Sequence, residues 1–485
     1  MNRRLMLTVA LSVMLPWVVV AQKPDRTAPP PAGPPPAFSV PAIQKFTLPN
    51  GLPVYLLEKH QVPLVQINLL VQAGTAMDPA GKSGLANMTA AMMMEGAGAR
   101  TTLVLADAID YLGARITSTA GQHAMAVRLH TPVARLDSAL ALFADIALRP
   151  TFPAPELARK TKERLTALLQ WRDEARMLSV VMFNRTLFGE HHPYGVPVIG
   201  NEATLRGFTR EDCADFHATW FRPNYAALIV VGDVTPMSMR ATLGAAFTSW
   251  KPGKGVAPSL PPIEQVAKRE IVLVDKPGAA QTEVRIGRIG VPRMTDDYYA
   301  LLVMNTLLGG SFSSRLNNNL REQHGYTYGA SSTFDFRPLP GPFLAASAVQ
   351  TAVTDSALVQ FMKELRGILE PVSDAEVERA KNYVALGYPA DFQTVTQIAG
   401  QVEELVSYGL PDSYFNNFIR NILAVRKEDV QRVARKTIDP DRITIILVGD
   451  RKVIDDPVRA LDLGPIVHRT IDDVLGKAPV LEEKK

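Results

Sequence analysis

The chain writes one plan twice, and that repeat limits its fold more than any other feature. Arg210-Glu211-Asp212 opens a helix-forming stretch that runs to Pro223, then to the apolar run Ala227-Leu228-Ile229-Val230-Val231, closed by Gly232-Asp233. Near the other end, Lys427-Glu428-Asp429 leads to Pro440, then to Thr444-Ile445-Ile446-Leu447-Val448 and Gly449-Asp450. The spacings from Glu to Pro and from Pro to Gly are identical in the two copies. Agreement in composition and spacing together points to duplication. Each copy reads as helix, turn and buried strand, with acidic residues placed where they suit the helix dipole. At 485 residues the chain also exceeds what one ordinary core supports.

Around these anchors, strands alternate with longer amphipathic helices. Pro49-Asn50-Gly51 is a turn signal between the apolar-rich stretches 43–48 and 52–57. Pro53 inside the second stretch implies an edge position or a late strand start. Residues 64–71 supply a third strand. In the second half, 270–275 and 284–289 read as strands and 298–308 as a helix. Residues 251–268, with Lys251-Pro252-Gly253 and Pro258 to Pro262, read as a linker. The expected organisation is therefore an N-terminal domain over 41–250, the linker, a C-terminal domain over 269–455 and a tail over 456–485.

The ends carry addressing information. Arg3 and Arg4 precede an apolar run from Leu5 to Val20, and Val19-Val20-Ala21 offers a cleavage site before Gln22. The run matches a signal-peptide core and is short for a membrane span, although an uncleaved anchor is the alternative. No Cys follows it, so no lipoprotein anchor is expected. A signal peptide over 1–21 and a Pro-rich, extended spacer over 22–40 imply a periplasmic or otherwise exported protein without a stable membrane anchor. The formal net charge of +4 falls to +2 without the leader, and no basic stripe supports nucleic-acid binding. Apolar residues make up 47% and charged residues 21%, as in soluble globular proteins.

The single cysteine, Cys213, excludes an internal disulfide framework and a Cys-based zinc cluster. Glu190-His191-His192 precedes Pro193-Tyr194-Gly195. Adjacent His in a strand face opposite ways, and Pro193 opposes a helix that would bring them together. None of His60, His123, His130, His217, His324 and His468 lies at a ligand spacing from a second His. The glycines of Leu308-Gly309-Gly310-Ser311-Phe312-Ser313-Ser314-Arg315-Leu316 lack the pattern of a phosphate loop. The block Leu320-Arg321-Glu322-Gln323-His324-Gly325-Tyr326-Thr327-Tyr328-Gly329 follows.

Several of these segments, in the same order, resemble the pitrilysin/insulinase family of zinc peptidases, across roughly residues 40–450. They are Gln72-Ala73-Gly74-Thr75, Gly84-Leu85-Ala86 with Met92, Phe152-Pro153-Ala154-Pro155-Glu156 through Leu165, 187–195 and 308–329. The resemblance implies an α+β fold of two similar domains, each a sheet backed by helices, forming half of a peptidase clamshell. In the family's H-x-x-E-H helix, two His bind zinc and the Glu polarises water. Here those positions are Asn87, Ala90 and Ala91, and neither Ala has a lone pair to offer a metal. The third ligand, a Glu on a later helix, falls near Thr166 or Ala167; Glu163 is close, but one carboxylate does not rebuild a site. The second-half motif is intact. It places Arg321 and Tyr328, seven residues apart, as the pair that holds the substrate backbone and developing oxyanion. Tyr326 is the wrong distance from Arg321 for that role, and the plain alternative is a surface Arg and a strand Tyr. In some bacterial members the labour is divided between two chains. This sequence resembles the non-catalytic subunit of such a heterodimer: no cofactor of its own, zinc in an H-x-x-E-H partner, and peptides as substrate. The rival is a peptide-binding or assembly protein of the same fold without protease activity. A relocated hydrolase site has no support, because G-x-S-x-G is absent and no Cys/His pairing is apparent.

Overall fold

A computed structural model describes residues 38–257 and 259–481, together with Gly33. The expected leader, most of the Pro-rich spacer, Pro258 of the linker and the last four residues lie outside the described residues. Among the described residues no helix is long and apolar enough to cross a membrane.

The first half builds β1 (Gln44–Thr47), β2 (Pro53–Glu58), β3 (Leu64–Val71), a small ribbon of β4 (Gly96–Ala97) and β5 (Arg100–Thr101), then β6 (Arg115–Ala120), β7 (Met125–Pro132) and β8 (Ala226–Gly232). The second half builds β9 (Glu270–Asp275), β10 (Gln281–Ile289), β11 (Thr327–Phe334), β12 (Pro342–Gln350), β13 (Thr444–Gly449) and β14 (Ile466–Arg469). Two six-stranded sheets result, ordered β1-β2-β8-β3-β7-β6 and β11-β12-β10-β13-β9-β14. Read from opposite ends, five strands correspond. The repeated apolar runs are β8 and β13, each parallel to one neighbour (β2 or β9) and antiparallel to the other (β3 or β10).

The repeat's glycines have a steric reason. A Cβ on Gly232 would lie 2.3 Å from the Leu64 carbonyl oxygen, and one on Gly449 would lie 2.5 Å from Thr282 Oγ1. In both copies the neighbouring strand passes too close for a side chain. Pro53 opens β2 rather than interrupting it, and β2 is an inner strand flanked by β1 and β8. Pro therefore marks the strand start, where its missing N–H costs no ladder bond.

β8 and β13 are buried on both faces, which is why they read as unbroken apolar runs. Each half lends the other a helix to achieve this. Helix Ala175–Phe188 of the first half packs on β10 and β13, placing Leu178 and Phe183 in one cluster with Val272, Ile446 and Val448. Helix Val395–Tyr408 of the second half packs on β3 and β8, where Ile398 and Val402 cluster with Leu70, Ile229 and Val231. Each such side chain contributes about 1.5–3 kcal/mol on burial. The two sheets are thereby clamped by crossed helices as well as backed by their own.

The expected tail over 456–485 is in part structured. Helix Arg451–Ala460 is followed by β14, which pairs with β9, and helix Ile471–Leu475 packs on Ala175–Phe188. A four-residue strand beside charged flanks carries too few alternations to be read from sequence.

Buried histidines make stability fall with acidification. His217, on helix Arg210–Trp220, donates from Nε2 to the Ala147 carbonyl at 2.9 Å, and burial pushes its pKa down to about 4. The unfolded chain therefore takes up a proton near pH 6.5 while the folded chain resists it. The stability this group contributes is complete above that value and is lost as pH falls from about 6.5 toward 4. The His217→Gln variant keeps a donor but cannot titrate. Between about pH 8 and about pH 5, urea unfolding of the wild type is expected to lose about 2 kcal/mol relative to that variant. Parallel pH profiles would refute the assignment.

Candidate functional site

The degenerate frame lies on helix Leu85–Met92. Its start is held by the Asp78 carboxylate, which accepts the backbone N–H of Gly84 at 2.7 Å and of Ala86 at 2.8 Å. Burial pushes the Asp78 carboxyl up to about 7 against those two bonds. Gly84 has φ +92°, and a Cβ there would lie 2.6 Å from the Gly200 backbone nitrogen, so only glycine fits.

The first ligand position, Asn87, is already engaged. Arg164, from helix Ala154–Asp173, donates from Nη1 to Asn87 Oδ1 and from Nη2 to the Asn87 carbonyl at 3.0 Å. Burial lowers the Arg164 guanidinium to about 10. Ala90 is fully buried and offers no donor atom to the space around it. Thr166, one of the expected third-ligand positions, turns its hydroxyl back to the Lys162 carbonyl at 2.9 Å, and Ala167 is partly buried. Glu163 pairs with Arg159 and, at 3.2 Å, with Lys160. Cys213 is buried and unpaired, and burial raises its thiol to about 11, as expected for a packed, unreactive side chain.

These residues do not fit a zinc ion. The frame holds two alanines, an amide committed to an arginine, and a fixed positive charge that repels a dication. No group of three or more His, Cys, Asp or Glu among the described residues could hold a metal. His192 is buried, accepts the Tyr194 N–H at 3.0 Å, and packs with Phe188 and Tyr194, while His191 is exposed. The pair is split between core and solvent.

The second-half motif stands open. Helix Arg315–Asn317 runs into a π-helical turn, Asn318–Gln323, that carries Arg321. Such turns tend to occur at functional sites because they break the regular ladder. The Arg321 guanidinium lies over the Phe312 ring, 4.7 Å from its centroid, and 3.1 Å from Glu322. Tyr328 sits at the start of the edge strand β11, where pairing with β12 shifts register between Thr327 and Ala330. Its side chain is left in solvent: the residue is 88% exposed, and Phe312 is 62% exposed. Tyr326 instead stacks on His324, with ring centroids 5.0 Å apart.

Asn317 ties the motif together. Its Nδ2 donates to the Phe312 carbonyl at 2.6 Å, and its Oδ1 accepts the Ala330 N–H at 3.2 Å. One buried amide thus fixes the loop of Phe312, the helix leading to Arg321 and the strand bearing Tyr328. Sequence reading missed both Phe312 and Asn317. An aromatic in a Gly/Ser loop was a usable signal for the first; nothing local distinguished Asn317 from Asn318 and Asn319. Chemically, the braced segments offer a guanidinium over an exposed ring and an exposed phenol on the edge strand, donors of the kind that suit an extended backbone's carbonyls.

Two family models match this chain: Insulinase (Peptidase family M16) over residues 54–188, and Peptidase M16 inactive domain over residues 207–384. Together they cover well over half of it. The chain belongs to the insulinase (M16) peptidase family. Among its relatives is an uncharacterized zinc protease of Mycobacterium tuberculosis (strain CDC 1551 / Oshkosh), 26% identical over 87% of this chain and 97% of that one. Another is a non-peptidase homolog, YmxG, of Helicobacter pylori, 21% identical over 83% of this chain and 92% of that one. The crystal structure of a peptidase M16 inactive domain from Pseudomonas fluorescens superposes with a TM-score of 0.79 at 25% identity, over 84% of this chain and 98% of that one. Within the M16 family this chain is a peptidase-fold protein without the H-x-x-E-H ligands. Its first-half frame is closed by Arg164.

Proposed function

We propose that this M16 chain is an exported, non-catalytic subunit of a heterodimeric zinc peptidase. Its partner carries H-x-x-E-H and the zinc, and this chain supplies Arg321 and Tyr328 to the partner's site in trans. The observation that carries the reading is the contrast between its two halves. A guanidinium seals the first-half frame, whereas the second-half Arg/Tyr surface is presented to solvent on a braced edge. In the reaction, the Arg321 guanidinium and the Tyr328 hydroxyl would hold substrate carbonyls and the oxyanion that forms on attack. The closed first-half frame would shape the peptide cavity. Export rests on the leader, Arg3 and Arg4 with the run to Val20.

The test is native purification of the tagged chain from its own cell envelope, followed by mass spectrometry and peptide-hydrolysis assays. A stoichiometric H-x-x-E-H chain, whose activity on peptides requires this one, is the expected result. A chain that purifies alone, or with unrelated proteins only, would favour the second reading, a peptide-binding or assembly protein. The Helicobacter pylori relative described as a non-peptidase homolog supports that second reading.

A further inference from the structure

A cavity of about 730 Å³ lies between helices Ala175–Phe188 and Val395–Tyr408, away from both motifs described above. Its walls include Phe183, Phe334, Phe336, Tyr298 and Tyr408, and three arginines line it: Arg285, Arg293 and Arg337. Two of these are neutralised. Arg293 donates to Glu404 at 3.0 Å and to the Tyr414 hydroxyl at 2.8 Å, and Arg337 donates to Asp335 at 2.9 Å. The remaining acid on the wall, Glu403, is taken by the fork of Arg128.

Arg285 has no such match. It is only 8% exposed, and its hydrogen-bond partner among the described residues is the Ser179 hydroxyl, 2.7 Å from Nε. Glu283, two residues away on the same strand face, acts on Arg285 through its charge, but the two make no ion pair or hydrogen bond among the described residues, so the Nη donors stay free. The duplication shows what is missing. Arg285 pairs across the sheet with Ile446, as Asn68 pairs with Ile229, so the two residues are equivalent in the repeat. Opposite Asn68, the crossing helix presents the Glu403 carboxylate at 2.6 Å. Opposite Arg285, helix Ala175–Phe188 carries no carboxylate: it offers the Ser179 hydroxyl, and its Arg176 adds a second positive charge nearby. A buried guanidinium with one neutral acceptor is costly unless an anion completes it.

We propose that this seam cavity is a binding site for a carboxylate carried on an apolar or aromatic body, anchored by the free Nη donors of Arg285. A carboxylate fits the planar guanidinium fork with two parallel bonds, and the aromatic walls take the apolar part. The proposal stands on this cavity alone and does not depend on a peptidase partner.

The test is calorimetric titration of the full chain with 3-phenylpropanoate and with 3-phenylpropanamide. A parallel pair is a short peptide ending in Phe, as the free acid and as the C-terminal amide. At least one acid is expected to bind saturably, with its amide at least about tenfold weaker. Which acid binds tells a free small carboxylate from a peptide C-terminus. Arg285→Met, with folding checked by thermal melting, should weaken the acid by the same factor. No saturable binding of either acid at millimolar concentration would overturn the proposal. So would equal binding of acid and amide to the wild type, a comparison that needs no variant.

Discussion

Replacing Arg321 by Ala and Tyr328 by Phe together is expected to lower the peptidase activity of the proposed complex with an H-x-x-E-H chain by at least about 100-fold, while that complex stays assembled. The size follows from the proposed chemistry: each side chain would donate to substrate carbonyl oxygens, and losing one oxyanion donor typically costs about 10²–10³ in rate. Assembly survives because neither substitution touches a buried group. Tyr328 is 88% exposed, Phe keeps its ring, and Arg321 contacts only Phe312 and Glu322 at the surface. The informative readouts are kcat and KM on a peptide substrate, with size-exclusion chromatography of the mixed chains. Tyr326→Phe serves as control, since that ring is stacked on His324, and it should leave kcat unchanged. Full activity in the double variant would remove the trans-site proposal.

The second large effect is on stability. Glu403→Ala is expected to lower the unfolding free energy by about 3 kcal/mol. Glu403 sits on helix Val395–Tyr408 and accepts from Arg128 Nε at 2.8 Å, from Arg128 Nη2 at 2.6 Å and from Asn68 Nδ2 at 2.6 Å. It therefore fastens a second-half helix to β3 and β7 of the first half. Removing it strands a guanidinium and a buried amide, and the stranded groups cost more than the lost attraction itself. Arg128 is a third exposed and regains some water, which holds the penalty below that of a fully buried pair. Urea unfolding measures the change, and a loss under about 0.5 kcal/mol would show that apolar packing alone holds the seam. Glu403→Gln, which retains an acceptor for Asn68, should cost about half as much.

Much of the architecture was legible because it is written in local periods. Strand runs, the turn at Pro49-Asn50-Gly51, and the repeated helix–Pro–strand–Gly-Asp unit each depend on residues close in sequence, where backbone geometry sets the pattern. The helix start at Pro153-Ala154-Pro155 and the dismantled frame at Asn87, Ala90 and Ala91 were read instead from the resemblance to the peptidase family. Boundaries moved where a signal was weak. β10 begins three residues before its expected start, and the helix from Tyr298 gives way to a π-helical turn at Thr306–Gly310. Tyr328 and Arg321 could be named from the resemblance to the family's second-half motif, but not the brace that holds their segments.

By itself, the sequence carried the duplication and its local pattern of strands and helices, and its motifs resembled the M16 family with alanines at two of the zinc-helix positions and an Arg/Tyr pair in the second half. Side-chain chemistry at fixed spacings decides those matters, and alanine cannot bind a metal in any fold. Only the tertiary structure decided which charges meet. It set Arg164 against Asn87, Glu403 against Arg128, and Arg285 against a lone serine. Each of these pairings joins segments distant in the chain, and the last two depend on a helix of one half packing on the sheet of the other. Burial then sets the energy: the same guanidinium is nearly free of cost in water and demands a partner at 8% exposure.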